Sequence, residues 1–124
     1  DRVRAVRSDL FSNLSGQRYD LVVSNPPYVS EQEVDSLPEE FRHEPRMGLV
    51  SGEEGLAIPL KILRECQAHL HPDGVLILEV GYSEGALAER LPEVPFLWLE
   101  FAEGGEGVLA ITAKDLERYR DHLI

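Results

Sequence analysis

The sequence predicts an α/β domain with a mostly parallel sheet that ends in an antiparallel hairpin. Two nearly continuous apolar runs, 19–24 and 75–80, are typical of strands that are buried on both faces of a parallel sheet. A helical apolar pattern lies between them, and this order is that of a crossover connection between parallel strands. Two further strand patterns, 96–101 and 108–112, flank a glycine-rich segment that allows a hairpin.

The elements before the first crossover lead up to the clearest strand of the chain. Residues 3–6 suggest a short strand that ends at Ser8-Asp9, and residues 12–17 have the composition of a loop or a short helical turn. The strand Tyr19–Ser24 follows. It ends at Asn25-Pro26-Pro27, because each proline removes a ladder donor and fixes φ.

The connection to the second strand combines a long loop with a helix. Residues 29–52 are irregular and acidic, so we expect a functional loop with short helical turns. Apolar residues then recur at spacings of three and four and predict a helix from about Gly55 to Leu70. Pro59 fits this helix in its first turn, where its missing N–H matters least.

The remaining elements follow one another closely. A turn at 71–74 precedes the second strand, which Gly81 ends. A helix is predicted over 83–91 with Ser83 as its N-cap, because a serine before an apolar periodic segment can accept hydrogen bonds from the first turn. Residues 114–124 predict a short amphipathic helix or a frayed tail.

Composition limits the classes of function. The chain of 124 residues is one domain at most, and we expect it to be a piece of a longer protein because it starts without Met inside a strand pattern. Its net charge of −11 argues against nucleic acid as a partner. No apolar run has the ~18 residues of a membrane helix, and the single cysteine fits a reducing compartment, so a cytoplasmic protein without membrane contact is predicted.

The most informative motif is Asn25-Pro26-Pro27-Tyr28, directly after a predicted strand. The prolines make a rigid turn, so the Asn25 side chain and the Pro26 carbonyl can both accept hydrogen bonds from one planar NH2 group. Tyr28 can stack on that plane. The alternative is that the motif only ends the strand. In an α/β frame the position favours a site, because ligands bind beyond the carboxyl ends of parallel strands.

The run YDLVVSNPPY, 19–28, resembles two groups of amino-group methyltransferases that use S-adenosylmethionine: the adenine-amino DNA methylases and the protein glutamine N(5)-methyltransferases of the HemK group. Two further runs, LPEEFRHEPRMGLVSGEEGL (37–56) and VPFLWLEFAEGGEGVLAIT (94–112), closely resemble the PrmB branch of the HemK group. That branch methylates a glutamine side chain of large-subunit ribosomal protein three.

This resemblance implies a Rossmann-like methyltransferase fold, of which residues 1–124 would be the C-terminal part of the catalytic domain. The glycine-rich cofactor turn and the N-terminal helical domain of the family would lie upstream, so we expect the chain alone to be inactive. With part of its sheet missing, we also expect it to self-associate.

The resemblance also implies roles for individual residues. Asn25 would touch both the cofactor and the target amide, and Pro26, Pro27 and Tyr28 would form the target pocket. Asp9 and Leu10 would approach the adenine of S-adenosylmethionine, although many relatives of the release-factor type carry Trp where this chain has Leu10. A turn or cap is the alternative role of Asp9.

Other candidate residues carry weaker signals. His43 lies in a loop that could cover the glutamine, although a plain hydrogen bond to Glu44 is the favoured interpretation over catalysis. Glu79, at the end of a predicted buried strand, needs a partner and could orient the loop near Asn25 or pair with an arginine. Cys66 is expected in the core. The other histidines (His69, His71 and His122) have no metal-ligand spacing, and no metal site is predicted.

Other functions remain open at this point. A release factor is the second candidate substrate, and adenine in DNA is a third that the acidic balance disfavours. A different class of function is a non-catalytic module whose acidic segment 31–54 binds a basic ribosomal protein.

Overall fold

Four strands form one mixed sheet in the computed structural model, which describes residues 2–26 and 55–124. The sheet order is β1-β2-β4-β3. β1 and β2 are parallel, and β4 is antiparallel to both β2 and β3. The strands are β1 (Tyr19–Ser24), β2 (Leu70–Glu79), β3 (Leu97–Trp98) and β4 (Val108–Thr112), and the helices are α1 (Ala57–Cys66), α2 (Glu84–Arg90), α3 (Ala113–Arg118) and α4 (Arg120–Leu123).

The predicted α/β class is therefore confirmed, together with the parallel pair and the antiparallel hairpin. The prediction of a mostly parallel sheet is wrong for the described residues, because two of their three strand pairings are antiparallel. β1 has the predicted bounds, and Pro59 lies in the first turn of α1 as expected. The helix predicted over 55–70 is shorter, because a 3-10 turn (Gln67–His69) follows Cys66 and Leu70 already belongs to β2. The last segment forms the two short helices α3 and α4, and the Thr112 hydroxyl caps α3 by accepting from Asp115 N at 3.1 Å.

The hydrophobic core lies on one face of the sheet. Helices α1 and α3 pack against β2, and the alternate strand residues that point toward them are buried. These strand residues are Leu76, Leu78, Leu109 and Ile111, none of which is more than 3% exposed.

The opposite face of the sheet is open. Residues of β1 that point to this face are exposed, Leu21 at 54% and Val23 at 67%, and Leu97 of β3 is 63% exposed. The prediction that the 19–24 strand is buried on both faces is therefore wrong. Within the part of the chain that the structure describes, β1 is an edge strand, because its second edge pairs with no strand there.

The short strand predicted at 3–6 is also absent. Residues 2–8 have no regular secondary structure and residues 2–7 are exposed. A strand needs a ladder partner, and these residues pair with none among the described ones.

Residues 71–74 do not form a separate turn before the second strand. They are an irregularity inside β2: Tyr19 pairs with Leu70 and Leu21 pairs with Val75, so four residues of β2 (71–74) lie opposite the single residue between Tyr19 and Leu21 in β1. Pro72 cannot donate to the ladder, and Gly74 is enclosed so tightly that an added Cβ would lie 3.0 Å from the Tyr19 carbonyl oxygen. The strand predicted over 96–101 is reduced to Leu97–Trp98, and the hydroxyl of Ser83 does not cap α2.

Candidate functional site

Asn25 and Pro26 lie directly beyond the carboxyl end of β1, where Ser24 pairs with Leu78 of β2. Asn25 is exposed and Pro26 is half-buried. The side-chain amide of Asn25 is thus accessible to a ligand at the edge where parallel strands present their binding residues. Pro27, Tyr28 and His43 lie outside the described residues, so their predicted roles stay predictions.

Glu79 occupies the corresponding place on β2, one residue beyond Leu78. The burial of β1 and β2 alternates in step, so Asn25 and Glu79 continue the open face on which Val23 and Ile77 lie. Glu79 is half-buried, whereas Asn25 is exposed. The two side chains follow paired residues on neighbouring strands, which run about 4.8 Å apart.

The backbone immediately after Glu79 is fastened to the start of β4. Gly107 O accepts hydrogen bonds from Val80 N at 2.6 Å and from Gly81 N at 3.2 Å. In return, Gly107 N donates to the Glu84 Oε1 at 3.0 Å. The backbones approach so closely that a Cβ on Gly107 would lie 2.5 Å from the Gly81 nitrogen.

This fastening is a feature that sequence reasoning missed, because hairpin geometry alone seemed sufficient to explain the glycines of 102–107. Gly107 has φ +75° and Gly81 has φ +55°, so both favour glycine on conformational grounds as well. The sequence signal that could have indicated this close approach is a glycine, Gly107, directly before the apolar strand pattern 108–112. These contacts fix the position of the backbone that follows β2, at residues 80–81, next to Asn25.

Asp9 and Leu10 lie in a turn ahead of β1. Asp9 O accepts from Ser12 N at 3.1 Å, and the Ser12 hydroxyl accepts from Asp9 N at 3.2 Å, so Asp9 has the turn role that the sequence left as an alternative. Its side chain is exposed and remains accessible. Leu10 has φ +53°, which is rare for a branched side chain, and it is half-buried against the core.

The structure does not bring Asp9 and Leu10 together with Asn25. Phe11 stacks on His69 with ring centroids 4.6 Å apart, and His69 directly precedes Leu70, which pairs with Tyr19 at the amino end of β1. Leu10 and Tyr19 line the same open groove of about 770 Å³. Asn25 lies six residues further along the chain, a distance of about 20 Å for a strand.

These positions bear on S-adenosylmethionine. The Asp9 carboxylate could accept from an amino group and Leu10 offers apolar surface, but both stand at the opposite end of β1 from Asn25, and the groove beside Leu10 is also lined by Arg2 and Arg4. A cationic lining does not suit a sulfonium. The cofactor roles of Asp9, Leu10 and Asn25 stay predictions.

Cys66 has the structural role predicted for it. Its side chain, on the last residue of α1, is fully buried in the core, and burial raises the pKa of its thiol from an ordinary 9.0 to about 12. Such a thiol is neutral at physiological pH and is a poor nucleophile.

Two further searches concern only residues 2–26 and 55–124. None of their His, Cys, Asp and Glu side chains gather in a group of three that could hold a metal ion. No helix in these ranges has the length and apolar character needed to cross a membrane.

Comparison with known proteins finds sequences that are similar to this chain. No protein-family model matches the chain. Curated protein methyltransferases, however, match it over almost its whole length, and the chain is homologous to them.

Three of these relatives carry the same name, ribosomal protein uL3 glutamine methyltransferase. The relative from Francisella tularensis is 50% identical over 121 residues, 98% of this chain and 38% of the relative. The Xanthomonas campestris protein is 50% identical over 94% of this chain and 38% of its own length, and a Xylella fastidiosa protein is 48% identical over 98% and 39%. The resemblance to the PrmB branch is thereby confirmed, and the chain spans about 38% of the length of these relatives.

Proposed function

We propose that the protein containing this chain methylates a glutamine side-chain amide of ribosomal protein uL3, with S-adenosylmethionine as the methyl donor. The observation that carries this proposal is the identity of about 50% to three uL3 glutamine methyltransferases over nearly all of the chain. The chain would then be the C-terminal part of a Rossmann-like catalytic domain. The mixed sheet supports this, with its parallel pair and an antiparallel last strand.

The position of Asn25 supports the same reaction. A carboxamide nitrogen is a weak nucleophile because its lone pair is delocalised into the carbonyl group. It carries two N–H groups. The side-chain oxygen of Asn25 can accept a hydrogen bond from one of them, and the backbone carbonyl oxygen of Pro26 can accept from the other. Two such bonds would orient the nitrogen and favour the positive charge that develops on it, which is how a preorganised site lowers a barrier.

The charge of the chain suits this substrate. A net charge of −11 attracts a basic protein, and ribosomal proteins that bind RNA are basic. A ribosomal-protein substrate also implies a cytoplasmic site of action. The acidic residues would then attract the substrate, and salt would slow the encounter.

Asn25→Ala in the full-length gene product tests the proposal. The variant should lose methylation of uL3 by at least about a thousandfold, because it removes one of the two acceptors for the target amide and the group that orients it. Mass spectrometry of uL3 after incubation with S-adenosylmethionine measures the added methyl group, and release factor serves as the comparison substrate.

Leu97→Ala is a suitable control, because Leu97 is exposed on β3 at the far edge of the sheet. It should retain the activity of the wild type. Retained turnover in Asn25→Ala would refute the role of Asn25, whereas methylation of release factor in preference to uL3 would refute the substrate.

A further inference from the structure

Two carboxylates lie near the end of β2, and they differ in what holds them. Glu84 is bound, because its Oε1 accepts from Gly107 N at 3.0 Å. Glu79 is half-buried, yet within the described part of the chain it takes part in no ion pair and accepts no hydrogen bond. A carboxylate that is partly withdrawn from water without a partner costs free energy. Glu79 lies at the carboxyl end of a parallel strand, where ligands bind in such sheets, so we ask which group it could bind there.

The sheet register restricts the partners of Glu79. On the β4 side its register partner is Val108, which has no hydrogen-bonding side chain. On the β1 side the last pair is Ser24 with Leu78, and the next residue of β1 is Asn25. Asn25 is therefore the polar neighbour that the register supplies on this face.

We propose that Glu79 is a positioning residue whose carboxylate accepts a hydrogen bond from the side-chain NH2 of Asn25 when substrate is bound. This inference rests on the proposed function, in which Asn25 accepts from the target amide. The bond is not among the contacts of this structure; it is the contact that the register makes available.

The bond would solve a specific difficulty of an asparagine acceptor. A carboxamide has one oxygen and one NH2 group of similar shape, and a flip about its last torsion exchanges them. If the NH2 group faced the target amide, two donors would meet. A carboxylate beside Asn25 binds the NH2 group and so directs the oxygen toward the substrate.

The fastening of Gly81 and Gly107 gives this arrangement its precision. Val80 and Gly81, directly after Glu79, both donate to Gly107 O, so the end of β2 is held from the β4 side. Glu79 is thus attached to a fixed backbone, whereas Asn25 is exposed and follows an edge strand. The fixed group positions the less constrained one.

Three variants of the full-length gene product test the assignment: Glu79→Ala, Glu79→Gln, and Glu89→Gln as a control, because Glu89 is an exposed glutamate of α2. Glu79→Ala should lower kcat on uL3 by about tenfold to a hundredfold with KM within about twofold, because misorientation affects the reacting geometry more than binding. Glu79→Gln keeps an acceptor oxygen, so its loss of kcat should stay below about tenfold. Glu89→Gln should keep the kcat of the wild type.

A second readout does not depend on turnover. The side-chain amide of Asn25 gives a pair of proton signals in nitrogen-correlated NMR spectra, recorded with and without uL3. With uL3, one proton should be shifted downfield in the wild type and in Glu89→Gln, and both should return to free-amide positions in Glu79→Ala.

Wild-type kcat in Glu79→Ala overturns the inference. So does a fall in kcat that leaves the Asn25 signals unchanged, because Glu79 would then act elsewhere or only on stability. If the wild type methylates no glutamine of uL3, the proposed function fails, and the NMR comparison repeated with release factor, the second candidate substrate, decides whether Glu79 binds Asn25.

Discussion

The two faces of the sheet contrast sharply although the same strands form both. On the helix-covered face, residues such as Leu76 and Leu109 are fully buried. On the open face, Leu21 and Val23 are more than half exposed, although both belong to the apolar strand β1. A continuous apolar strand thus predicts burial on both faces. Which face is actually buried depends on the helices that pack against the sheet.

The largest expected effect compares one leucine from each face. Leu76→Ala should lower the free energy of unfolding by about 2–5 kcal/mol, because it leaves a cavity beneath α1 and α3. Leu21→Ala, the same change on the open face, should lower it by less than about 1 kcal/mol. Urea denaturation of the 124-residue chain measures both. Equal losses would mean that the open face is covered in solution.

A smaller effect concerns pH and the covered face. The pKa of buried Cys66 is raised to about 12, so the folded thiol stays neutral while the unfolded thiol ionises from about pH 9. The contribution of Cys66 to stability is therefore complete below pH 9 and is lost as pH rises from 9 toward 12.

The measurement is the difference in unfolding free energy between the wild type and Cys66→Ala, from pH 7 to pH 11. Taking this difference cancels the titration of every other group. It should shrink above pH 9, by at most a few kcal/mol. A difference that is constant with pH would show that the thiol is accessible to water.

The smallest expected effect is on self-association through the open face and the free edge of β1. We predict that the chain self-associates through this face, and that Val23→Lys weakens the association by a charge placed on the edge strand. Val3→Lys is the matched control, because Val3 is 86% exposed but lies outside the sheet. Sedimentation velocity over a range of concentrations measures the effect. A monomeric wild type, or equal effects of both substitutions, would contradict the prediction.

The sequence predicted those elements whose signals are local. Tyr19–Ser24 is β-forming throughout and stops at Asn25-Pro26, so its bounds were predictable, and Pro59 marked the first turn of α1. Residues 2–8 show the limit of such signals. Their pattern is that of a strand, but a strand depends on a partner, which a local pattern does not supply.

The site was predictable to the same extent. Asn25 stands at the carboxyl end of a parallel strand, as its place after an apolar run predicted. The proximity of Glu79 depends on the register of β1 and β2, which the irregularity at 71–74 sets, and no short-range pattern contains that information. The contact between Gly81 and Gly107 joins residues far apart in the chain and is equally invisible to periodicity.

The attachment of Gly107 to Gly81 separates the hairpin tip from the rest of the molecule. Residues 101–106 are exposed, and the first residue that is held after them is Gly107, through both its N–H and its carbonyl group. The structural effect of an insertion, a deletion or a fluorescent label within 102–106 should therefore not extend beyond Gly107, and the sheet edge beside Asn25 should be undisturbed. The tip is therefore a position at which the chain can be altered or labelled without changing the site.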